Sequence, residues 1–382
     1  VLRQVTATFV YGLTATPIRK DGHQPIIFMQ CGKIRFTSDA KSQMENQGFK
    51  RLLIPRFTSF RSIISDRKTY VQITQELSED KVRNEFVMED VKAAIQKGRT
   101  PLVLTTRTAH VKVLAQMLMP FADHVIQLIG ADSAKEKRLA LQNLQSIPTS
   151  ESLVIVATGK YVGEGFDYPR LDTLFLTMPI AWKGNVEQYA GRLHREYEGK
   201  SEVCIYDYVD IRVPLCDSMY RKRLKGYARA GYGKNVTSPA PDKKSQELIY
   251  EQNNYEAAFR KDLAKAKHSV VIAVPKVKFK YKPSIMSALA NLLHNGVSVV
   301  VHVKEEGANE IELSNAGMDV VCNKEQTLQC AVIDKAIVWY GNINFFGYNS
   351  ETNNVMRIAD HKIANEMMEI LYSATENKVN GG

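Results

Sequence analysis

The chain has 382 residues, 44% of them hydrophobic, and carries 51 Lys and Arg against 41 Asp and Glu, for a net charge of +10. This length allows two or three domains, and the positive charge favours a polyanionic partner. The sequence shows neither an apolar run long enough to cross a bilayer nor a signal-peptide pattern, so a membrane protein is excluded and a cytoplasmic one is expected.

The first predicted element is a strand at residues 7–11, followed by a tight segment at 12–17. The chain starts with Val1 rather than Met, inside this dense stretch, so we expect it to begin partway through a longer protein. Residues 51–77 are apolar at first, contain Pro55, and are interpreted as an extended connector.

From about residue 78 to 235, helices alternate with short apolar strands. Strands are predicted at 101–106, 124–128, 153–157, 173–178 and 202–209, and helices at 80–96, 109–119, 134–144 and 186–195. This pattern indicates a parallel sheet that helices cover on both faces. A basic helix is predicted to follow at 212–230.

A segment rich in Ser, Pro and Lys at 236–245 is interpreted as a linker. The remainder, 246–382, is predicted to form a second α/β unit with strands at 269–274, 297–303, 319–322, 330–333 and 336–340. The predicted fold class is therefore α/β, with a parallel-sheet lobe followed by a smaller α/β domain.

The five cysteines are widely spaced and form no Cys-x-x-Cys pair. A zinc site is therefore not expected, and no metal-ligating set is assigned. Buried, reduced thiols in a cytoplasmic protein are the favoured interpretation.

Two segments at the ends of predicted strands could bind a ligand. The first contains Thr14, Ala15 and Thr16, although by itself this segment is an ordinary turn. The second, 157–167, lies at the carboxyl end of a strand, where open α/β sheets bind ligands, and its glycines allow close approach to the backbone. Taken alone, it could equally be a surface loop. Its candidate residues are Thr158, Gly159, Glu164, Gly165 and Asp167.

A third segment, 188–195, reads Gln-Tyr-Ala-Gly-Arg-Leu-His-Arg on a predicted helix. Arg192 and Arg195 are three residues apart and share one helical face. Two guanidinium groups on one face repel each other unless an anion lies between them, and phosphate matches their geometry. The alternative is a solvated basic face.

Together these three segments resemble motifs III, V and VI of superfamily 2 helicases, in the same order. The motif VI pattern Gln-x-x-Gly-Arg-x-x-Arg is matched without departure, and 102–107, with Thr106 and Arg107, resembles motif IV. Residues 12–22 and 29–32 are similar to the branch that contains the repair helicase of transcription factor TFIIH and related bacterial and phage enzymes.

This resemblance implies two RecA-like lobes that clamp ATP and Mg²⁺, with DNA across both; RNA is the less favoured alternative. Residues 1–50 would end the first lobe and 78–235 would form the second. By the same resemblance, Arg192 and Arg195 would be arginine fingers, Gln188 would position the attacking water or the phosphate, and Glu164, Gly165 and Asp167 would lie at the nucleotide. The residues expected to bind nucleic acid or couple the lobes are Thr14, Ala15, Thr16, Thr106, Arg107, Thr158 and Gly159.

One departure from the family is large. The sequence contains no Gly-x-x-x-x-Gly-Lys-Ser/Thr loop to cradle phosphates and no acidic pair of the Asp-Glu-x-His type to hold Mg²⁺. Most of the ATP and Mg²⁺ site would lie upstream of this chain. We therefore expect that the chain alone neither hydrolyses ATP nor unwinds DNA.

In the C-terminal unit, Asp334 and Asn344 have the spacing seen in the phospholipase D superfamily, whose motif is His-x-Lys, then Asp, then Gly-Ser/Thr-x-Asn. The register places Thr327 at the histidine position and Gln329 at the lysine position. Neither can act as an imidazole nucleophile or a cation, so we expect an inactive relative of that family.

The role of this unit remains open at the level of sequence. It could form a homodimer, or it could bind DNA through Lys276, Lys278, Lys280 and Lys282, which alternate with apolar residues as on one side of a strand. The same lysines could instead protect a sheet edge. For the whole protein, the alternatives to a repair-type motor are the motor subunit of a restriction, defence or mobile-element system, and a non-catalytic DNA-binding or assembly module.

Overall fold

A computed structural model describes residue 12 and residues 24–36, 49–62, 69–130, 133–163, 166–180, 185–232, 248–278, 282–350 and 353–376. The chain divides into two units, Val1–Gly48 and Phe49–Gly382. Within the first unit, residues Gln24–Cys31 form helix α1. The predictions for Thr14, Ala15 and Thr16, for Glu164 and Gly165, and for the linker at 236–245 fall outside the described residues.

Six parallel strands form the first sheet of the second unit, in the order β1-β6-β5-β2-β4-β3. Strands β2, β4 and β5 are buried along their whole length, as parallel strands covered on both faces must be. The predicted α/β fold class is confirmed. The strands are β1 (Lys50–Phe57), β2 (Pro101–Thr105), β3 (His124–Leu128), β4 (Leu153–Thr158), β5 (Thr173–Leu176) and β6 (Glu202–Val209).

Alternate residues of these strands pack on opposite faces of the sheet. Leu102 and Leu104 belong to one core cluster, whereas Val103 between them belongs to another, together with apolar residues of α3 and α4. The helices of this half are α2 (Tyr70–Glu79), α3 (Lys81–Gln96), α4 (Thr108–Leu118), α5 (Ala134–Ser146), α6 (Gly159–Gly163), α7 (Asn185–Leu193) and α8 (Pro214–Tyr227). A π-helical turn, Ala228–Tyr232, follows α8.

The interpretation of residues 51–77 as an extended connector is wrong. Strand β1 pairs with β6 over eight residues and forms one edge of the sheet, and α2 follows it. Proline lacks a backbone N–H, and an edge strand tolerates this because one of its sides has no neighbour to receive the bond. Pro55 therefore did not mark the end of regular structure.

A second sheet has seven strands in the order β10-β9-β8-β11-β12-β13-β7. Strands β8, β9 and β10 are parallel, and the remaining pairs are antiparallel. The strands are β7 (Ile249–Glu251), β8 (Ser269–Ala273), β9 (Ser298–Val303), β10 (Asp319–Cys322), β11 (Cys330–Ile333), β12 (Ile337–Gly341) and β13 (Asn354–Ala359). The helices are α9 (Tyr255–Leu263), α10 (Pro283–His294), α11 (Ala308–Asn315) and α12 (His361–Glu376).

The two sheets share one hydrophobic core. Phe57 and Tyr220 from the first half belong to the same buried cluster as Tyr340 and Met367 from the second. The rings of Phe57 and Tyr340 lie 4.9 Å apart, edge to face. The two sheets therefore pack as parts of one unit, although the sequence predicted two domains joined by a linker.

In the lysine-rich segment before α10, residues 274–278 and Lys282 do not lie in a strand, contrary to prediction. Residues 274–278 are irregular, and Lys280 lies outside the described residues. The ammonium of Lys282 donates to Glu256 at 2.8 Å, so this lysine is part of an internal ion pair. The strand prediction is therefore wrong for Lys276, Lys278 and Lys282.

Within the described residues, no helix combines the length and the apolar character needed to cross a membrane. Nor do the described residues include a group of three or more His, Cys, Asp or Glu side chains placed to hold a metal ion.

Candidate functional site

The carboxyl ends of β2 and β4 open into a cavity of about 430 Å³. Thr106 follows β2, and Thr158 and Gly159 end β4 and begin α6, so two of the predicted motifs meet at this edge of the sheet. The edge is where open α/β sheets bind ligands. The lining residues are Tyr70, Thr106, Thr158, Gly159, Lys160, Ile180, Tyr189 and Met219.

Motif VI reaches this cavity through Tyr189 of α7. Its hydroxyl donates to the carbonyl of Gly159 at 3.0 Å, and only 4% of the residue is exposed. A β-carbon on Gly159 would lie 2.5 Å from that hydroxyl oxygen, so this position requires glycine. The hydroxyl of Thr158 accepts from the backbone N–H of Gly130 at 2.9 Å, which fixes the end of β4.

Lys160 brings a positive charge to the cavity. Its side chain is exposed and makes no ion pair with any residue that the structure describes. Lys160 was not among the predicted site residues, although a lysine directly after Thr-Gly at a strand end is a usable signal. Tyr70 and Met219 also line the cavity, but they come from α2 and α8, whose approach to this edge depends on tertiary packing.

The predicted motif IV residues separate. Thr106 is exposed and lines the cavity, whereas Arg107 does not. The guanidinium of Arg107 donates to the carbonyl of Val71 at 3.2 Å and so ties β2 to α2. Arg107 therefore has a structural contact that the sequence did not indicate.

The two arginines of motif VI have different surroundings. Arg195 donates from Nε to Asp167 at 3.1 Å, and these side chains are 53% and 45% exposed. The Nε atom of Arg192 is buried and has no hydrogen-bond partner among the described residues. Because an exposed ion pair contributes only about 0–1 kcal/mol, an incoming anion can replace Asp167 at Arg195.

Gln188 is exposed at the same helix. Its side-chain oxygen lies 3.7 Å from the position that a β-carbon on Gly163 would occupy. Gln188 is thus next to the end of α6, which Thr158 and Gly159 begin. The structure therefore brings the motif V and motif VI residues that it describes to one region.

Lys200 and His194 fix the end of motif VI. The ammonium of Lys200 donates to the carbonyls of Leu193 and Arg195, at 3.1 and 2.8 Å. Burial lowers the pKa of Lys200 to about 8. The ring of His194 is hydrogen-bonded to the hydroxyl of Tyr232 at 2.9 Å, and burial lowers its pKa to about 3, so it stays neutral.

A buried ion pair supports the opposite wall of the cavity. Arg223 of α8 donates two hydrogen bonds of 2.8 Å to Asp207 of β6 and a third, of 2.9 Å, to the carbonyl of Ile180. Tyr227 also donates to Asp207 at 2.8 Å. Both members of the pair are fully buried, so removing one would leave an uncompensated charge in the core.

The four residues at the phospholipase D positions do not form one site. Thr327 and Gln329 precede β11 and Asn344 follows β12, whereas Asp334 lies in the turn between these strands, at the far end of the hairpin. The Asp334 carboxylate accepts backbone N–H bonds of 2.8 to 2.9 Å from residues 267–269. These bonds outweigh burial and lower its pKa.

Asn344 also has a structural role. Its amide donates to the carbonyl of Lys276 at 2.9 Å, and its oxygen accepts from the N–H of Phe346 at 2.9 Å. Asp334 and Asn344 therefore stabilise the backbone of neighbouring loops. Thr327 and Gln329 supply neither a nucleophile nor a cation.

No protein-family model matches the chain. Transcript termination protein A18 of myxoma virus (strain Lausanne) is 27% identical over 153 residues, which cover 38% of this chain and 31% of that protein. The match therefore spans less than a third of this relative, whose activity as a whole protein does not carry over to the chain.

Two solved structures are also similar. T4 UvsW is 16% identical, with a TM-score of 0.38. The match covers 48% of this chain and 39% of the UvsW chain. Nuc from Salmonella typhimurium, a phospholipase D family member, is 20% identical, with a TM-score of 0.30. The match covers 34% of this chain and 91% of the Nuc chain.

Proposed function

We propose that this chain is the C-terminal part of an ATP-dependent superfamily 2 helicase or translocase that moves on DNA. The observation that carries the proposal is the convergence of three separate segments on one cavity. Thr106, Thr158 with Gly159, and Tyr189 lie far apart in the chain and meet at the carboxyl edge of the parallel sheet. Those segments are the ones that resemble motifs IV, V and VI.

In this proposal, the cavity holds the backbone of a single strand. The hydroxyls of Thr106 and Thr158 offer hydrogen bonds to phosphate oxygens, and Lys160 offers a charge without an internal competitor among the described residues. Contacts of this kind position a strand without reading its sequence, so little sequence preference is expected.

ATP and Mg²⁺ would be bound mainly through a lobe that this chain does not include. The ATP would supply the phosphoryl group whose transfer drives movement. The arginines of this chain fit an anion of that kind, because Arg192 has a buried Nε without a partner in the described residues and Arg195 has only an exposed partner. Both would offset charge that develops on the phosphoryl oxygens, while Gln188 would orient the water or the phosphate.

The strand-binding part is tested with the 382-residue chain and a fluorescein-labelled 20-nucleotide single strand. Lys160→Gln should weaken binding and reduce the slope of log affinity against log salt by about 0.7, the value for one phosphate contact on a single strand. Lys112→Gln removes an exposed lysine of α4 and serves as the matched control. Equal effects of the two variants would contradict this part.

The ATP part is tested in a protein that joins this chain to a nucleotide-binding lobe. Because an arginine finger is worth about 10³- to 10⁵-fold in rate, Arg192→Ala and Arg195→Ala should each lower DNA-stimulated ATP hydrolysis by at least roughly 100-fold. Arg138→Ala, at an exposed arginine of α5, should have no such effect. The assignment of the lobes would be wrong if the 382-residue chain alone hydrolysed ATP and Arg192→Ala abolished that hydrolysis.

A second candidate function follows from the poxvirus relatives, which are transcript termination proteins. The same motor could act on stalled transcription complexes instead of on free DNA. Release of a labelled transcript from such a complex, dependent on ATP and on Arg192, would favour this candidate over a restriction, defence or mobile-element motor.

A further inference from the structure

Basic side chains are concentrated at the end of the second sheet where β11 turns into β12. Three segments contribute to this surface: residues 265–268, which lead into β8, the turn at 334–335, and residues 360–362, where α12 begins. None of these residues lines the cavity at the carboxyl edge of the parallel sheet. We call this region the turn surface. Its basic residues are Lys265, Lys267, His268, Lys335, His361 and Lys362.

Hydrogen bonds hold the three segments together. The carboxylate of Asp334 accepts the backbone N–H groups of Lys267 and His268, both at 2.8 Å. The ring of His361 donates from Nδ1 to the carbonyl of Lys335 at 2.9 Å. Because these contacts join the backbone of one segment to the next, the fold itself keeps the basic residues of the turn surface beside one another.

The turn surface carries a net positive charge. Its three segments contain only two acidic residues, Asp334 and Asp360, and both accept backbone N–H groups. Lys362 lies 3.7 Å from the buried Asp90. The other lysines are exposed and make no ion pair with any residue that the structure describes; they are Lys265, Lys267 and Lys335. The surface can therefore attract an anion.

The turn holds one of these lysines in a strained conformation. Asp334 and Lys335 both have a φ of 51°, and no other non-glycine residue that the structure describes has a positive φ. Aspartate tolerates this left-handed region, whereas lysine does so less readily than glycine would. Strain that packing does not require points to a function. Here the strained residue places an exposed cation at the tip of the turn.

We propose that the turn surface binds the phosphate backbone of duplex DNA. Phosphates lie on the outside of a duplex, where exposed lysines reach them without a cavity. A single strand also presents its bases, which proteins bind by stacking them on aromatic side chains. The three segments contain no Phe, Tyr or Trp, so they favour a duplex. Lys265, Lys267 and Lys335 contact phosphates, and such contacts carry no sequence preference.

This surface goes beyond the proposed motor, because it lies on the second sheet and uses none of the helicase-like motif residues. It also lies at the opposite end of the β11–β12 hairpin from Thr327, Gln329 and Asn344, so it is not the site that a phosphodiesterase would use. The second sheet would give the protein a duplex contact separate from the single-strand contact at Lys160.

The test measures binding of a fluorescein-labelled 30-base-pair duplex to the 382-residue chain, by anisotropy at several salt concentrations. The variants are Lys267→Gln and Lys335→Gly, alone and combined. Because glycine relieves the strain of the turn, the urea midpoint of Lys335→Gly should be no lower than that of the unmodified chain. The matched control combines Lys304→Gln with Lys324→Gln, at exposed lysines that follow β9 and β10 at the other end of the sheet.

We expect the combined variant to weaken duplex binding at least roughly five-fold and to reduce the slope of log affinity against log salt by about 0.9 for each lysine. The control should bind the duplex as the unmodified chain does. The proposal is overturned if the combined variant and the control bind the duplex equally well.

Two further probes separate the alternatives. Binding of the 20-nucleotide single strand, which the motor proposal assigns to Lys160, should not change in the combined variant, so each proposal can fail without the other. Polyglutamate tests for an acidic protein as the partner. If the combined variant loses polyglutamate binding and keeps its duplex affinity, the turn surface binds an acidic protein and the duplex proposal is wrong.

Discussion

Gly159 shows how a single residue joins two motifs. The residue begins α6 directly after β4, accepts the Tyr189 hydrogen bond through its carbonyl, and leaves no room for a side chain. The sequence could predict that a glycine here allows close approach, but it could not predict that the approaching group is the tyrosine of motif VI. The contact makes the positions of motifs V and VI interdependent.

This interdependence is measurable by a double-mutant cycle with urea unfolding. Gly159→Ala should destabilise the chain by about 1–3 kcal/mol, the cost of overpacking a buried contact. Tyr189→Phe removes one hydrogen bond and should cost about 0.5–1.5 kcal/mol. In the double variant, the hydroxyl oxygen that would lie 2.5 Å from the new methyl is absent. The nearest atom is then the ring carbon Cζ, at 3.3 Å.

The double variant should therefore be less destabilised than the sum of the single variants, by at least about 0.5 kcal/mol. Additive effects would show that the alanine methyl is accommodated by a shift elsewhere. In that case, the packing of Gly159 on Tyr189 would not be what links the two motifs.

Among the elements, the sequence predicted those whose own residues decide their structure. Strands β3, β6, β10 and β11 occur at the predicted residues because short apolar runs between helices leave few alternatives. Strand β1 was missed because an apolar segment that contains Pro55 becomes a strand only by pairing with β6. That partner lies about 150 residues later in the chain. Strand β13 was missed for the same reason, because it forms a strand only by pairing with β12.

Helix α2 was also missed, although its sequence contains a usable signal. Thr69 and Gln72 form a capping box, in which each side chain binds the backbone of the other residue. The predicted lysine strand failed for the opposite reason: alternation in the sequence suggested a strand, but Lys282 is bound by Glu256.

At the scale of the whole molecule, an ionic cluster reinforces the shared core between the sheets. Arg56 of β1 pairs with Asp90 of α3 and, at 2.8 Å, with Glu366 of α12. Tyr208 donates to Asp90 at 3.0 Å, and the exposed Lys362 lies 3.7 Å from it. Helix α12 is thereby tied to β1 and α3, and no sequence pattern could have indicated this contact.

The cluster has two carboxyl groups around one buried guanidinium, so one of them is in excess. Burial raises the pKa of Glu366 from 4.5 to about 7, an effect that the attraction of Arg56 and Lys362 only partly opposes. Burial raises the pKa of Asp90 as well. The folded chain therefore holds a proton on Glu366 in a pH range where the unfolded chain has lost it.

The stability of the chain should consequently fall as pH rises from about 4.5 to about 7, because unfolding releases that proton. Glu366→Gln keeps the shape of the side chain and removes its titration. The stability of this variant relative to the unmodified chain should therefore increase between pH 5 and pH 8, by up to roughly 3 kcal/mol for a full shift of this size. Urea unfolding at four or five pH values measures the difference.

Glu369→Gln, an exposed position three residues further along α12, is the matched control and should follow the unmodified chain at every pH. Asp90 remains in all three proteins, where its charge adds to the rise in the pKa of Glu366. If the curves for Glu366→Gln and the unmodified chain are parallel, the excess charge is relieved by the surrounding cations and Glu366 is ionised in the folded state. The contact between the two sheets would then be a balanced network of ion pairs, in which the loss of either carboxylate is destabilising at neutral pH.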